Sequence, residues 1–331
     1  MEYARAKLFG LLRLAVAVAI VLWLANRAGF DAIGHHLASV DVPLLLAALG
    51  LMFADSLVKA WNWRKLISSL VTDREVSFVR VMSWYFAGGF LGAVVPSSAS
   101  TDVLRAVLSQ RALGGGYGAA CAASVLTLNG VGWFAGCLLG LIGIGLLELG
   151  RSLPDLLGPA ALLFIVMAVV LPVGYRVLSS QRGQIMGLLH DFRWPKLSKS
   201  IRKFVDAVCV FERAHVRFLE FFVIAATGLL AQAGMYALTA ASVGVYLPFA
   251  VWMILAPLTR IIALVPISVM DFGLIQGAHV WILSLFDVPV ALAFVISTLF
   301  ALQGAFIHAT AGSVAFLYGD RRMYGRPDPT A

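Results

Sequence analysis

Repeated apolar stretches, each about as long as a bilayer is thick, constrain this chain more than any other feature. A hydrocarbon core about 30 Å deep asks for roughly 20 apolar residues per helix, and residues 8–24, 43–60, 117–149, 158–177, 221–243 and 289–317 all approach or exceed that length. Three further apolar pieces, 81–95, 247–265 and 272–286, are shorter, and Pro96 and Pro266 close the first two. Those are candidate half-helices. Composition agrees: 61% of residues are hydrophobic and 13% charged, against about 45–50% and 25% in a soluble domain. The expected fold is an all-α polytopic membrane protein, 1–331 forming a single membrane domain. It has six to eight transmembrane helices, with one or two re-entrant half-helix hairpins.

Charge sets the expected orientation. Lys and Arg number five in 59–80, nine in 176–217 and three in 321–326, whereas 25–42 and 150–157 hold only Arg27 and Arg151. The positive-inside rule places the three clusters in the cytoplasm, and with them both termini of a protein of the inner (cytoplasmic) membrane. Piece 81–95 must then dip in and return, which puts Arg105 and Arg111 inside, and the pieces around Pro266 are either two short spans or one hairpin entering from outside. The net charge of +8 is read as contact with anionic lipid, with no nucleic-acid partner. Within the basic segment 178–218, Leu197, Ile201, Phe204, Val208 and Phe211 recur at helical spacing. They describe an amphipathic helix on the inner leaflet or a connector packed on the bundle. Residues 318–331 form a cytoplasmic tail. Residues 8–24, with Arg5 and Lys7 ahead of them, read as a retained span, because Ala25-Asn26-Arg27 is a poor cleavage site. Cys121 and Cys137 stand too far apart along one helix to pair, and Cys209 is expected as a free cytoplasmic thiol.

Two polar turns echo each other. Val95-Pro96-Ser97-Ser98 leads to Asp102 and Leu104, and Val265-Pro266-Ile267-Ser268 leads to Asp271 and Leu274. Approached from opposite sides, they are what an inverted repeat of broken helices presents near the midplane. Motif 81–112 places Ser98, Ser100, Thr101 and Asp102 at the start of a helix, whose unpaired N–H groups suit a phosphate, with Arg105 one turn inside. The plainer alternative is a capped helix in which Arg105 pairs with Asp102. In motif 247–286, Ser268 and Asp271 precede the helix, and Arg260 lies in an apolar run where an ionisable group needs a partner or a wet cavity. Asp271 is its obvious partner, and Asp55 with Lys59 makes a comparable i, i+4 pair.

His279 and His308 lie within spans, as a proton or hydrogen-bond relay requires, or as mere helix-to-helix contacts. His35 and His36 are an exposed loop pair without companion ligands, so no metal is expected. Gly114-Gly115-Gly116 lacks the Lys-Ser or Lys-Thr of a phosphate loop, so no nucleotide cofactor is expected either. Gly132, Gly136, Gly140 and Gly143 line one helix face, a sign of close packing or of a substrate groove.

The same regions carry a family resemblance. Trp61-Asn-Trp63-Arg64-Lys65-Leu66, Val94-Val95-Pro96 to Asp102-Val-Leu-Arg105-Ala, Ala123-Ser124-Val125-Leu126, and Val265-Pro266-Ile267-Ser268 to Gly277-Ala278 together resemble the transmembrane region of lysylphosphatidylglycerol synthase. That flippase-like family includes stand-alone members associated with hopanoid synthesis. The resemblance covers almost the whole chain and implies movement or presentation of lipids between leaflets, without aminoacyl transfer. Pro96, Asp102, Arg105, Pro266, Ser268 and Gly273 match its pattern. The family's Gly-Gly-Asp reads Ser100-Thr101-Asp102 here, its Asp-Arg or Glu-Arg reads Leu128-Asn129, and its Arg-Glu reads Ile275-Gln276.

The expected function is therefore a flippase-like lipid transporter without an ATPase of its own, taking a phospholipid or hopanoid-type lipid. Its headgroup would meet Ser98, Ser100, Thr101, Asp102 and Arg105 on one side and Arg260, Ser268 and Asp271 on the other. The alternative is a non-transporting scaffold for lipid- or hopanoid-synthesis enzymes. An enzyme is not expected, because no carboxylate cluster, metal-ligand set or activated nucleophile emerges.

Overall fold

A computed structural model describes residues 18–94, 100–150, 157–188, 218–262 and 273–319, together with Arg202 and Val205. Outside the described residues lie positions 8–17 of the first apolar stretch, the turn with Pro96, Ser97 and Ser98, the amphipathic stretch 197–211 apart from those two positions, and Cys209. The turn with Pro266, Ser268 and Asp271 and the tail from 320 onward lie outside as well.

The described elements are helical throughout. They are α1 (Val18–Ala28), α2 (Phe30–Ala38), α3 (Val42–Leu70), α4 (Phe78–Val94), α5 (Ser100–Leu113), α6 (Gly118–Leu149), α7 (Gly158–Ser180), α8 (Arg182–Leu188), α9 (Phe218–Ala241), α10 (Phe249–Ile262), α11 (Leu274–Ser284) and α12 (Val290–Tyr318). Five of them, α3, α6, α7, α9 and α12, are long and apolar enough to cross a bilayer. The chain is an integral membrane protein.

Two boundaries differ from the sequence reading. Helix α3 does not stop near residue 60, because Trp63, Leu66 and Ile67 continue its buried face through the Trp-Asn-Trp segment. Its start is set by Asp41, whose side chain accepts from the Leu44 N–H at 3.1 Å, with Pro43 in the first turn. The supposed loop carrying His35 and His36 is helix α2, in which Ile33 packs onto the core.

Hydrogen bonds between helix ends give the topology. At one end of the bundle Arg74 and Arg80 donate to the Leu113 and Ala112 carbonyls, Tyr117 donates to Asp73, and Lys65 bonds Glu220. This end gathers the close of α3, the start of α4, the close of α5 and the starts of α6 and α9. The close of α12 joins them, where Gly319 approaches Ser83. We call it the basic end. At the opposite end the Asp41 N–H donates to the Ser242 carbonyl, and Gly143 of α6 meets Ala250 of α10. Helices α4 and α5 therefore form a hairpin whose two outer ends both lie at the basic end. Helices α10 and α11 form a second hairpin, whose outer ends lie at the opposite end. The sequence left open whether that second element crosses as two short spans or dips in and returns, and residues 263–272, on which the choice turns, lie outside the described residues.

The glycine face of α6 is a packing face. A Cβ on Gly136 would stand 3.0 Å from Pro257, one on Gly143 2.8 Å from the Ala250 carbonyl oxygen, and one on Gly140 2.3 Å from Phe164 of α7. Small residues let backbones approach where lipid supplies no hydrophobic drive.

Outside the bilayer, the hydrogen bond from Tyr117 holds the Asp73 carboxyl below its ordinary value. A carboxyl depressed in this way contributes stability above about pH 3.9 that is lost as pH falls through its folded-state value. Tyr117→Phe is expected to lower the unfolding temperature slightly at pH 7, and the difference from wild type should close as pH falls through the folded-state value of Asp73.

Candidate functional site

The first hairpin is held together by glycine. Gly88 and Gly92 lie one turn apart on α4, and a Cβ at Gly88 would stand 3.2 Å from the Arg105 backbone nitrogen, one at Gly92 2.6 Å from the Thr101 Cα. This approach lays the start of α5 along α4. The Arg105 guanidinium then sits 3.8 Å above the centre of the Tyr85 ring. Its Nε donates to the Tyr85 carbonyl at 3.3 Å and its Nη1 to Asp102 Oδ1 at 3.2 Å. The second Asp102 oxygen accepts from Asn129 Nδ2 of α6 at 2.7 Å. Arg105 Nη2 has no partner among the described residues, so the group has donors left for a ligand acceptor. The i, i+3 pairing of Arg105 with Asp102 is thus real, and it orients the guanidinium without saturating it.

The second hairpin reaches α6 from the other side. Arg260 Nη1 lies 3.2 Å from where a Cβ on Gly132 would stand. No hydrogen bond or ion pair to Arg260 exists among the described residues, and its expected partner Asp271, like Ser268, lies outside them. Asn129 and Gly132 are one turn apart near the middle of the 32-residue α6. Of the candidate residues, Asp102, Arg105 and Arg260 therefore converge on one stretch of one helix. Ser100 opens α5 and Thr101 faces Gly92; Ser98 falls outside the described residues.

The two histidines differ. His308 of α12 fits into the notch of Gly89, within the field of both Arg105 and Lys59. His279 is buried with its ring edge-on to Tyr236 at 5.1 Å, and neither of its nitrogens has a hydrogen-bond partner among the described residues. Lys59 donates to Asp55 at 2.5 Å, realising the i, i+4 pair, and the Asp55 side chain is 3% exposed. No group of three metal-ligating side chains exists among the described residues, and Cys121 and Cys137 are buried and free.

Tyr85, Gly88 and Gly92 are absent from the sequence-derived site, although the Gly-x-x-x-Gly spacing signalled a close approach. Asn129, which stands where the family pattern has a charge, hydrogen-bonds Asp102. Two of the motif segments also meet directly, as Trp63 Nε1 donates to Ser124 Oγ at 2.8 Å in the core.

The family model for the lysylphosphatidylglycerol synthase TM region covers residues 10–312. No curated protein and no solved structure matches the chain.

Proposed function

The chain belongs to the lysylphosphatidylglycerol synthase transmembrane-region family, a membership that points to a role in membrane lipids, and from that premise we propose that it moves a polar-headed lipid between leaflets. The observation that carries this reading is the convergence on α6. Two hairpins inserted from opposite ends bring Arg105 with Asp102, and Arg260, to adjacent turns at Asn129 and Gly132. A phosphate or other polar head enters between the hairpins while its acyl chains stay in the bilayer, and the guanidinium groups supply paired donors to it. His308, in the notch of Gly89, adds a hydrogen-bonding group beside Arg105. The lipid is a phospholipid or a hopanoid-type molecule with a polar head. The basic end faces the cytoplasm, the membrane is the inner one, and the protein performs no chemistry and hydrolyses no nucleotide itself.

A scaffold for lipid-synthesis enzymes is the second reading, favoured by one fact: Asp102 and Tyr85 already satisfy part of Arg105. Leaflet exchange of fluorescent lipids of several headgroup classes, in vesicles containing the purified chain, separates the two. Headgroup-selective exchange is expected, falling about tenfold or more in Arg105→Ala and in Arg260→Ala, since each removes charge-assisted hydrogen bonds to the head. No exchange by folded wild-type protein, with co-purification of a synthase, would establish the scaffold instead.

A further inference from the structure

Lys59 stands on a face of α3 that is otherwise closed. Its neighbours three and four positions away on that face, Asp55, Ser56, Asn62 and Trp63, are all buried, yet 26% of the Lys59 side chain is exposed. Exposure ringed by buried neighbours opens into the bundle, so a polar cavity reaches the ammonium group. We propose that Lys59 binds the phosphate of the lipid head together with Arg105, as a second cation arriving from a second helix.

Depth places the two in one site. Lys59 lies eleven residues from the basic-end close of α3, His308 ten from that of α12, and Asn129 eleven from the basic-end start of α6. At about 1.5 Å per residue all three stand roughly 15–17 Å in, the level at which Asn129 holds Asp102 and Asp102 holds Arg105. His308 joins them laterally: seated at Gly89, it feels both cations, Arg105 from α5 and Lys59 from α3.

Donor counting leaves room for a ligand. An ammonium group has three donors, and among the described residues Lys59 uses one, on Asp55. An ionisable group at membrane depth needs a partner or a wet cavity, and Lys59 has one of each. The two cations are built alike, Lys59 on Asp55 at i, i+4 and Arg105 on Asp102 at i, i+3. A carboxylate on the same helix keeps each from holding an anion too tightly, and a site in a transport path has to release what it binds. Guanidinium supplies a fixed fork and ammonium a mobile point charge, so one phosphate takes paired bonds from Arg105 and a third from Lys59 as it passes.

The proposal rests on reading the mid-depth convergence on α6 as a headgroup site, and its test is chosen to separate the two. Native mass spectrometry of the full chain in detergent, with dioleoylphosphatidylglycerol and dioleoylglycerol at equal concentration, reads binding without transport. Wild-type protein is expected to retain the phospholipid over the uncharged lipid. Asp55→Asn with Lys59→Met, which leaves no buried carboxylate unpaired, should cut that preference about tenfold, or about 1.4 kcal/mol, and Asp55→Asn with Lys59→Arg should restore it. A second measurement needs no substitution: reductive methylation of wild-type protein, read by peptide mass spectrometry, should reach Lys59 and be slowed about tenfold by the phospholipid and not by dioleoylglycerol. Methylation of Lys59 that is indifferent to the phospholipid overturns the proposal, as does a preference that survives loss of both charges. If Arg105→Ala lowers the preference in that case, the headgroup site stands without Lys59; if Arg105→Ala leaves the preference unmoved as well, the headgroup site falls with it.

Discussion

Lys59→Met will destabilise the fold by about 3–5 kcal/mol, the usual consequence of removing one partner of a buried ion pair. The Asp55 side chain is only 3% exposed, one of its oxygens accepts from Lys59, and the other, pressed toward Gly228 of α9, has no partner among the described residues. Without the ammonium group, a carboxylate remains in a site that neither water nor a donor reaches. The double replacement Asp55→Asn with Lys59→Met is expected to recover most of that loss, because it removes the uncompensated charge rather than a favourable contact. Denaturant unfolding in detergent decides the matter. Equal losses in the single and double variants would show that the two side chains do not act as a pair.

Gly92→Ala should loosen the first hairpin although alanine is the better helix former by about 1 kcal/mol. The new methyl would stand 2.3 Å from the Thr101 hydroxyl oxygen and 2.6 Å from its Cα. The Cα belongs to the backbone, so α5 itself must move, at a cost of about 1–3 kcal/mol for overpacking, with Gly92→Val worse. The displacement carries Asp102 and Arg105 away from Asn129 and Tyr85, so headgroup-selective exchange is expected to be lost with it. Gly145→Ala on α6 is the control: nothing lies within 4 Å of its Cβ position, and it should be neutral or slightly stabilising. A Gly92→Ala protein as stable as that control would rule out the close approach.

The spans were legible because a bilayer imposes a length on apolar runs that no other environment imposes; the stretches at 118–149, 158–180 and 290–318 lie within a few residues of the sequence reading. The first hairpin was legible from a proline that ends a short apolar piece and from a charge distribution whose parity required a return. Asp55 with Lys59 followed from helical spacing alone. What the sequence hid was contact across elements. Tyr85 looks like any aromatic in an apolar run until α5 is laid against it, and Gly88 and Gly92 cannot be assigned to Arg105 and Thr101 without the turn between them. Asn129 shows the limit of pattern matching. Compared position by position with the family it is a missing charge, yet in the fold it keeps a hydrogen bond to Asp102.

The first hairpin is completed by the last described helix. Gly89 receives His308, and a Cβ on Gly312 would lie 2.9 Å from the Phe86 carbonyl oxygen, so one wall of α4 consists of residues of α12, made after every other described helix. As the chain emerges during synthesis, α4 and α5 leave the ribosome long before the surface that covers them exists. Assembly therefore has an enforced order. That wall of α4 stays uncovered until α12 arrives, and a chain interrupted before that point carries an open seam along its first hairpin.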